Sequence, residues 1–202
     1  MKKNIAVFAS GKGSNFSAIA QAVKKGVLKG SSLKLLVCDT PKAPVLGKAK
    51  KAGINILLAP RKDFPSKEAF EAGIIKHLKN SKIDLIVLAG FMRILSPSFI
   101  RAYPNRIINI HPSLLPAFKG EHGIKDAFDY GVRFTGVTVH FVDEETDHGP
   151  IILQSAVGIN RQDTLKDLEA RIHRAEHKLY PQAIKLFLSR RLKVNGRKVK
   201  IL

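Results

Sequence analysis

Ile5-Ala6-Val7-Phe8-Ala9-Ser10-Gly11-Lys12-Gly13-Ser14-Asn15-Phe16 decides the fold class. Its first five residues form a short apolar run, which reads as a buried strand. Two glycines and a serine then turn the chain. Apolar residues recur at Phe16, Ile19, Ala20 and Val23, the spacing of one helix face between Ser14 and Lys25. The same alternation continues downstream. Ser32 to Cys38 predicts a strand, Pro44 to Ala52 a helix with proline near its start, and Ile54 to Ala59 a strand. Ser66 to Leu78 predicts a helix capped by Ser66, Leu85 to Ala89 the most apolar strand, and Ile107 to Ile110 another.

Strands alternating with helices imply an α/β fold, a Rossmann-like and mostly parallel sheet with helices on both faces. The second half changes character. Phe134 to Val142 alternates apolar and polar residues, and Ile151 to Val157 is a second β-rich run, so an antiparallel extension is expected there. A long helix is predicted from a Thr164 cap to about Leu188, with Pro181 as a kink or break. From about residue 189 a basic tail follows, and Asn195-Gly196 marks a hairpin within it. With no repeat and no linker of low complexity, residues 1–202 are expected to form a single domain.

At 45 % hydrophobic residues, the 202-residue chain can build a core, which excludes wholesale disorder. Its apolar runs fall well short of the roughly 20 residues of a membrane span. The basic start, Met1-Lys2-Lys3, and the apolar stretch after it lead into the glycine turn rather than a small-residue cleavage site. One cysteine, Cys38, allows no internal disulfide, which fits a reducing compartment. A soluble cytoplasmic protein is expected, without a membrane partner.

The formal charge is +19, but it is unevenly spread. Residues 1–62 hold 13 basic residues against one acid, and residues 177–202 hold eight against none. The middle, 63–176, is nearly neutral. Basic ends favour solubility and attract phosphorylated or polyanionic molecules. No aromatic residues alternate with the basic ones in the tail, so no specific nucleic-acid partner is expected.

Several segments carry chemistry. The turn Ser10 to Asn15 points backbone N–H groups at the positive end of a helix, which suits a phosphate. It matches neither the phosphate loop of nucleoside triphosphatases nor the dinucleotide fingerprint, where Phe16 replaces the third glycine. Asp39, at the end of the second strand, is either a ribose ligand or an ordinary loop acid. Asn109-Ile110-His111-Pro112-Ser113-Leu114-Leu115-Pro116 is the densest segment. Asn109 and His111 lie two apart at a strand end, so their side chains share a face. An amide donor beside an imidazole can hold a carbonyl oxygen and handle a proton; the alternative reading is a pair that satisfies local backbone groups. Asp143, Glu144, Glu145 and Asp147 precede Gly149-Pro150, and any one of them can partner His111. His173-Arg174-Ala175-Glu176-His177 fits a zinc-hydrolase pattern, but Arg171, Arg174 and Lys178 crowd it and no third ligand is evident. No metal is expected.

Taken together, these segments resemble the folate-dependent formyltransferases. The likeness rests on Asn109 to Pro116, on Gly136-Val137-Thr138-Val139-His140-Phe141-Val142 and on Asp147-His148-Gly149-Pro150-Ile151-Ile152. Ser10 to Asn15, Ala89-Gly90-Phe91-Met92-Arg93-Ile94-Leu95-Ser96 and Ala175-Glu176-His177-Lys178-Leu179-Tyr180-Pro181 add to it, and it spans about residues 3 to 188. Within the family the chain resembles the enzymes of purine biosynthesis that formylate glycinamide ribonucleotide. Relatives acting on initiator tRNA carry an extra C-terminal domain and deformylases an N-terminal one, and neither is expected in this chain.

The resemblance implies 10-formyltetrahydrofolate as co-substrate and small molecules as the ligands, with a monomer or homodimer as the working form. It implies Asn109, His111 and Asp147 as catalytic residues. It gives Gly13, Ser14 and Asn15 to the acceptor's phosphate, and His173 and Glu176 to its ribose-phosphate end. Folate would meet Lys67, the backbone of Met92, Arg93, Ile94 and Leu95, Asn109, and the loop Asp143, Glu144, Glu145 and Asp147. Lys67 stands where a relative has Arg, keeping the charge without the bidentate geometry. His173 stands where relatives have Gln or Lys. Two alternatives remain, a formyltetrahydrofolate deformylase and a non-catalytic basic domain that binds polyanions.

Overall fold

β1 (Lys3–Phe8) pairs in parallel with β2 (Ser31–Cys38) on one side and β4 (Leu85–Leu88) on the other. Every residue from Ile5 to Phe8 is buried, as a strand covered on both faces requires. The computed structural model describes residues 2–202, and the chain divides into two units, residues 1–108 and 109–202. In the first unit β3 (Asn55–Leu58) joins β2 in parallel. The order is β3-β2-β1-β4, with the start of β5 (Ile107–His111) following β4.

Helices α1 (Ser14–Lys24), α2 (Pro44–Lys51), α3 (Lys67–Asn80) and the short α4 (Pro97–Ala102) alternate with these strands. Ser66 caps α3 by accepting the Ala69 N–H, 3.1 Å away, and Ser96 caps α4 from Phe99 at 3.2 Å. Phe8 meets the edges of Phe91 and Phe99, at 5.2 and 6.1 Å between ring centroids. That aromatic contact fixes the Phe91 end of the segment after β4.

In the second unit the end of β5 is followed by β6 (Phe134–Phe141), β7 (Ile151–Gly158), β9 (Lys198–Ile201) and β8 (Leu192–Asn195). β6 and β7 are antiparallel, as are β8 and β9, while β7 meets β9 in parallel at Ile151 and Lys198. Helix α5 (Gly123–Tyr130) precedes β6. α6 (Leu165–Leu188) starts with a capping box between Thr164 and Asp167 and packs on β6 and β7.

The mixed α/β fold with an antiparallel C-terminal part agrees with the alternation read from the sequence. Of the kink or break expected at Pro181, the break does not occur: α6 runs through it to Leu188. Leu179, Tyr180, Ala183 and Ile184 around it are all buried, and their packing outweighs the missing N–H. Among the described residues no helix is long and apolar enough to cross a membrane.

Candidate active site

The end of β5 and the loop after β6 build the chemically richest part of the second unit. Strand alternation sends Asn109 and His111 to one face of β5. Both reach the same carboxylate. Asp147 Oδ1 lies 3.4 Å from Asn109 Nδ2, and Asp147 Oδ2 lies 3.3 Å from His111 Nδ1. Of the four acids in the 143–147 loop, Asp147 is therefore the one facing His111. Its carboxylate also accepts the Gly120 N–H at 2.9 Å.

His111 is 4 % exposed, and its Nε2 donates to the Phe118 carbonyl at 2.7 Å. Both ring nitrogens thus face oxygen acceptors, an arrangement that the doubly protonated ring satisfies in full. His140, on β6, closes the group. Its Nδ1–H donates to the Phe141 carbonyl at 2.7 Å, leaving Nε2 as the acceptor for Asn109 Nδ2 at 3.3 Å. Burial pushes the His140 imidazole below its ordinary value, although the Phe141 carbonyl and Asp147 pull the other way. The 3.8 Å approach to Asp147 is too long to offset that burial.

The loop after His111 is held by Thr138. Its hydroxyl donates to the Ser113 carbonyl at 2.7 Å and accepts the Leu115 N–H at 3.1 Å. Gln154 adds bonds to the Thr138 hydroxyl and the Leu115 carbonyl, at 2.9 and 3.0 Å. Buried polar groups satisfied in this way give the His111 backbone one conformation. Further along the same unit, the His173 ring lies 2.9 Å from the buried Glu176 carboxylate on α6. Among the described residues no three metal-ligating side chains cluster.

In the first unit, Gly13 stands at the N-cap of α1 in a left-handed conformation, and Asn15 in the first turn is buried. Asp39 is not a surface acid. It is buried, accepts the Ser10 hydroxyl at 2.6 Å and pairs with Arg93 Nε at 2.5 Å. The Ser10 oxygen in turn accepts the Met92 N–H at 3.1 Å. Asp39 therefore ties the glycine turn to the 91–95 segment, and the Arg93 side chain is committed to it. From the other end, buried Glu71 on α3 accepts both the N–H (2.9 Å) and the hydroxyl of Ser96. Between these anchors Met92 and Ile94 stand 64 % and 67 % exposed, an apolar edge on a fixed backbone. Lys67, at the start of α3, is exposed.

His140 and the Phe118 and Gly120 backbone groups take part without having been singled out as site groups. A signal existed for His140 alone: alternation along β6 puts it on the face of Thr138.

An amide, an imidazole and a carboxylate at the end of a strand in an α/β fold can together hold a carbonyl oxygen and handle a proton. Residues 3–184 match the formyl transferase family, and the chain belongs to it. It is 48 % identical over 186 residues to the phosphoribosylglycinamide formyltransferase of Bacillus subtilis, covering 92 % of this chain and 95 % of that protein. A trifunctional purine biosynthetic protein of Drosophila pseudoobscura is 45 % identical over 190 residues, which span 93 % of this chain and 14 % of that protein. The crystal structure of glycinamide ribonucleotide transformylase 1 from Symbiobacterium toebii superposes with a TM-score of 0.96 at 42 % identity. That match covers 100 % of this chain and 94 % of the other.

Proposed function

We propose that this formyl transferase moves the formyl group of 10-formyltetrahydrofolate to the amine of glycinamide ribonucleotide, a step of purine biosynthesis. The observation that carries the reading is the shared carboxylate of Asp147, facing both Asn109 and His111 at 3.3–3.4 Å.

The amine lone pair attacks the formyl carbon, forming a C–N bond and placing negative charge on the formyl oxygen. Asn109 donates an amide N–H to that oxygen. Its bonds to His140 and Asp147 are long, so one N–H turns to the oxyanion at little cost. His111 stabilises the same charge, with the formyl oxygen replacing the Phe118 carbonyl as acceptor at Nε2. Collapse restores the carbonyl and breaks the bond to the folate nitrogen. His111 protonates that nitrogen and recovers a proton from the acylated amine, so the transfer is proton-neutral. Asp147 holds the ring by Nδ1 throughout and balances its charge before the proton leaves and after it returns. No covalent enzyme intermediate is required.

The remaining ligand contacts are assigned by likeness to the family. Gly13, Ser14 and Asn15 hold the phosphate, supported by the dipole and N–H groups of the α1 terminus. Glu176 takes the ribose hydroxyls, with His173 beside it. The same likeness assigns the backbone of Met92 to Leu95 to the pterin ring, with the exposed Met92 and Ile94 as apolar surface, and it assigns the 143–147 loop of the other unit to the folate as well. Lys67 faces the folate carboxylates.

The test is steady-state formyl transfer with Asn109→Ala and His111→Ala. Acceptor-dependent release of tetrahydrofolate, reduced about 10²–10³-fold in the first and 10²–10⁴-fold in the second, is the expected result. Release without acceptor favours a deformylase. No release by the folded protein overturns the reading.

A further inference from the structure

The C-terminal hairpin of β8 and β9 lies beyond residues 3–184, the span that the family model matches, and its tip reaches back to the loop that carries Asp147. Asn195 pairs with Lys198, so the turn is Gly196-Arg197, one residue beyond the Asn-Gly that the sequence suggests. Positive φ at Gly196 (55°) and not at Arg197 is the pattern of a type II′ turn. That turn puts Arg197 at the tip. Its Nη2 donates to the His148 carbonyl at 2.8 Å, and its Nη1 lies against the His148 ring, 2.6 Å from Nε2 and 3.2 Å from Nδ1. His148 Nδ1 donates to Asp143 Oδ2 at 2.8 Å, and Asp143 Oδ1 accepts the Glu145 N–H at 3.2 Å. One guanidinium thus holds the backbone and the side chain of His148, and through Asp143 both ends of the 143–148 loop.

The loop needs such support. Asp147, the neighbour of His148, has φ of 48°, a left-handed conformation that side-chain-bearing residues rarely adopt. Strained backbone of this kind persists where the surroundings over-determine it. The Gly120 N–H fixes the Asp147 carboxylate, but on the following residue the hold comes from Arg197 and Asp143.

We propose that Arg197 is a positioning residue: with His148 and Asp143 it clamps the 143–148 loop and keeps Asp147 in register with His111. The role in turnover rests on the formyl-transfer reading; the mechanical role does not. The rigid, planar fork is essential, because lysine cannot span a ring nitrogen and a carbonyl together.

Hydrogen exchange and kinetics on Arg197→Ala and Arg197→Lys test it. Exchange of the backbone amides of residues 143–149 is expected to rise severalfold in both variants, while β1 keeps its protection. kcat is expected to fall about tenfold in Arg197→Ala, as for a catalytic group displaced slightly, with KM for the amine acceptor unchanged. Added guanidinium ion restores part of the loss in the alanine variant and none in the lysine variant. Unchanged exchange at 143–149 overturns the clamp. Faster exchange with unchanged kcat overturns its part in positioning Asp147. A wild-type protein that transfers no formyl group overturns the functional reading alone, and exchange then decides the clamp by itself.

Discussion

Asp147 Oδ2 stands 3.3 Å from His111 Nδ1, with the side chains only 10 % and 4 % exposed. So little exposure limits the water that can come between the carboxylate and the ring. The charge is the component that matters. In Asp147→Asn the side-chain oxygen still accepts the Gly120 N–H, and asparagine tolerates the left-handed backbone at least as well. The fold should therefore survive, with an unfolding temperature close to wild type. Turnover should fall about 10²–10⁴-fold, the range for lost proton transfer. Near-normal kcat in this variant would remove Asp147 from the mechanism.

His140 makes stability depend on pH. Burial lowers its affinity for a proton below the ordinary value of 6.5, so the unfolded chain binds the proton more readily than the folded one. Stability contributed by the neutral ring is complete above 6.5 and declines as pH falls from there toward the depressed folded value. The slope cannot exceed about 1.4 kcal/mol per pH unit for one group. His140→Asn keeps a donor near the Phe141 carbonyl but does not titrate. Urea unfolding at pH 7.5 and pH 5 should show a smaller loss in this variant than in wild type. Equal losses in both would mean that the acid sensitivity arises elsewhere.

The buried pair of Asp39 and Arg93 is asymmetric, because the Asp39 side chain is 4 % exposed and that of Arg93 is 41 %. Removing the arginine strands a charge in the interior, whereas removing the acid leaves a cation that water can reach. Arg93→Ala should thus destabilise the protein more than Asp39→Asn, by about 1.5–3 kcal/mol, the size of a charge-assisted hydrogen bond. Chemical denaturation of the two variants gives the comparison directly, and the reverse order would show that the Ser10 and Thr40 hydroxyls already satisfy the carboxylate.

What the sequence reveals follows from which forces are local. β1, β2, β4 and β5 are legible because their apolar runs are continuous, and α1 and α3 because their apolar residues repeat at helical spacing. α4 and α5 are not: six and eight residues hold too few buried positions, Phe99 in one and Ala127 with Gly123 in the other, to display a period. Asn109 and His111 are visible as a pair since two residues of one strand need no tertiary information. The choice of Asp147 over Asp143 depends on how the loop turns, and there φ of 48° at Asp147 and the Asp143–His148 contact decide. The grip of Arg197 on His148 joins segments far apart in the chain, and no local pattern announces it.

Gly149 offers the sharpest steric test. It sits where the chain leaves the Asp147 loop and enters β7, and its neighbour Pro150 accepts the Phe141 N–H at 2.9 Å. A Cβ built there lies 1.9 Å from the Phe141 carbonyl oxygen, 2.8 Å from its carbon and 3.2 Å from the Asp143 nitrogen. All three are backbone atoms, so no rotamer change relieves the overlap; β6 and the loop have to part. Gly149→Ala should then cost at least the 1–3 kcal/mol typical of overpacking, roughly, and lower kcat by shifting Asp147. Gly158 at the far end of β7 is the internal control, because its Cβ would meet only the Phe134 ring at 3.8 Å, an ordinary contact. Gly158→Ala should leave both the urea midpoint and turnover near wild type. If the two alanine variants prove equally stable, the close approach of Gly149 to the Phe141 carbonyl does not hold the loop in place.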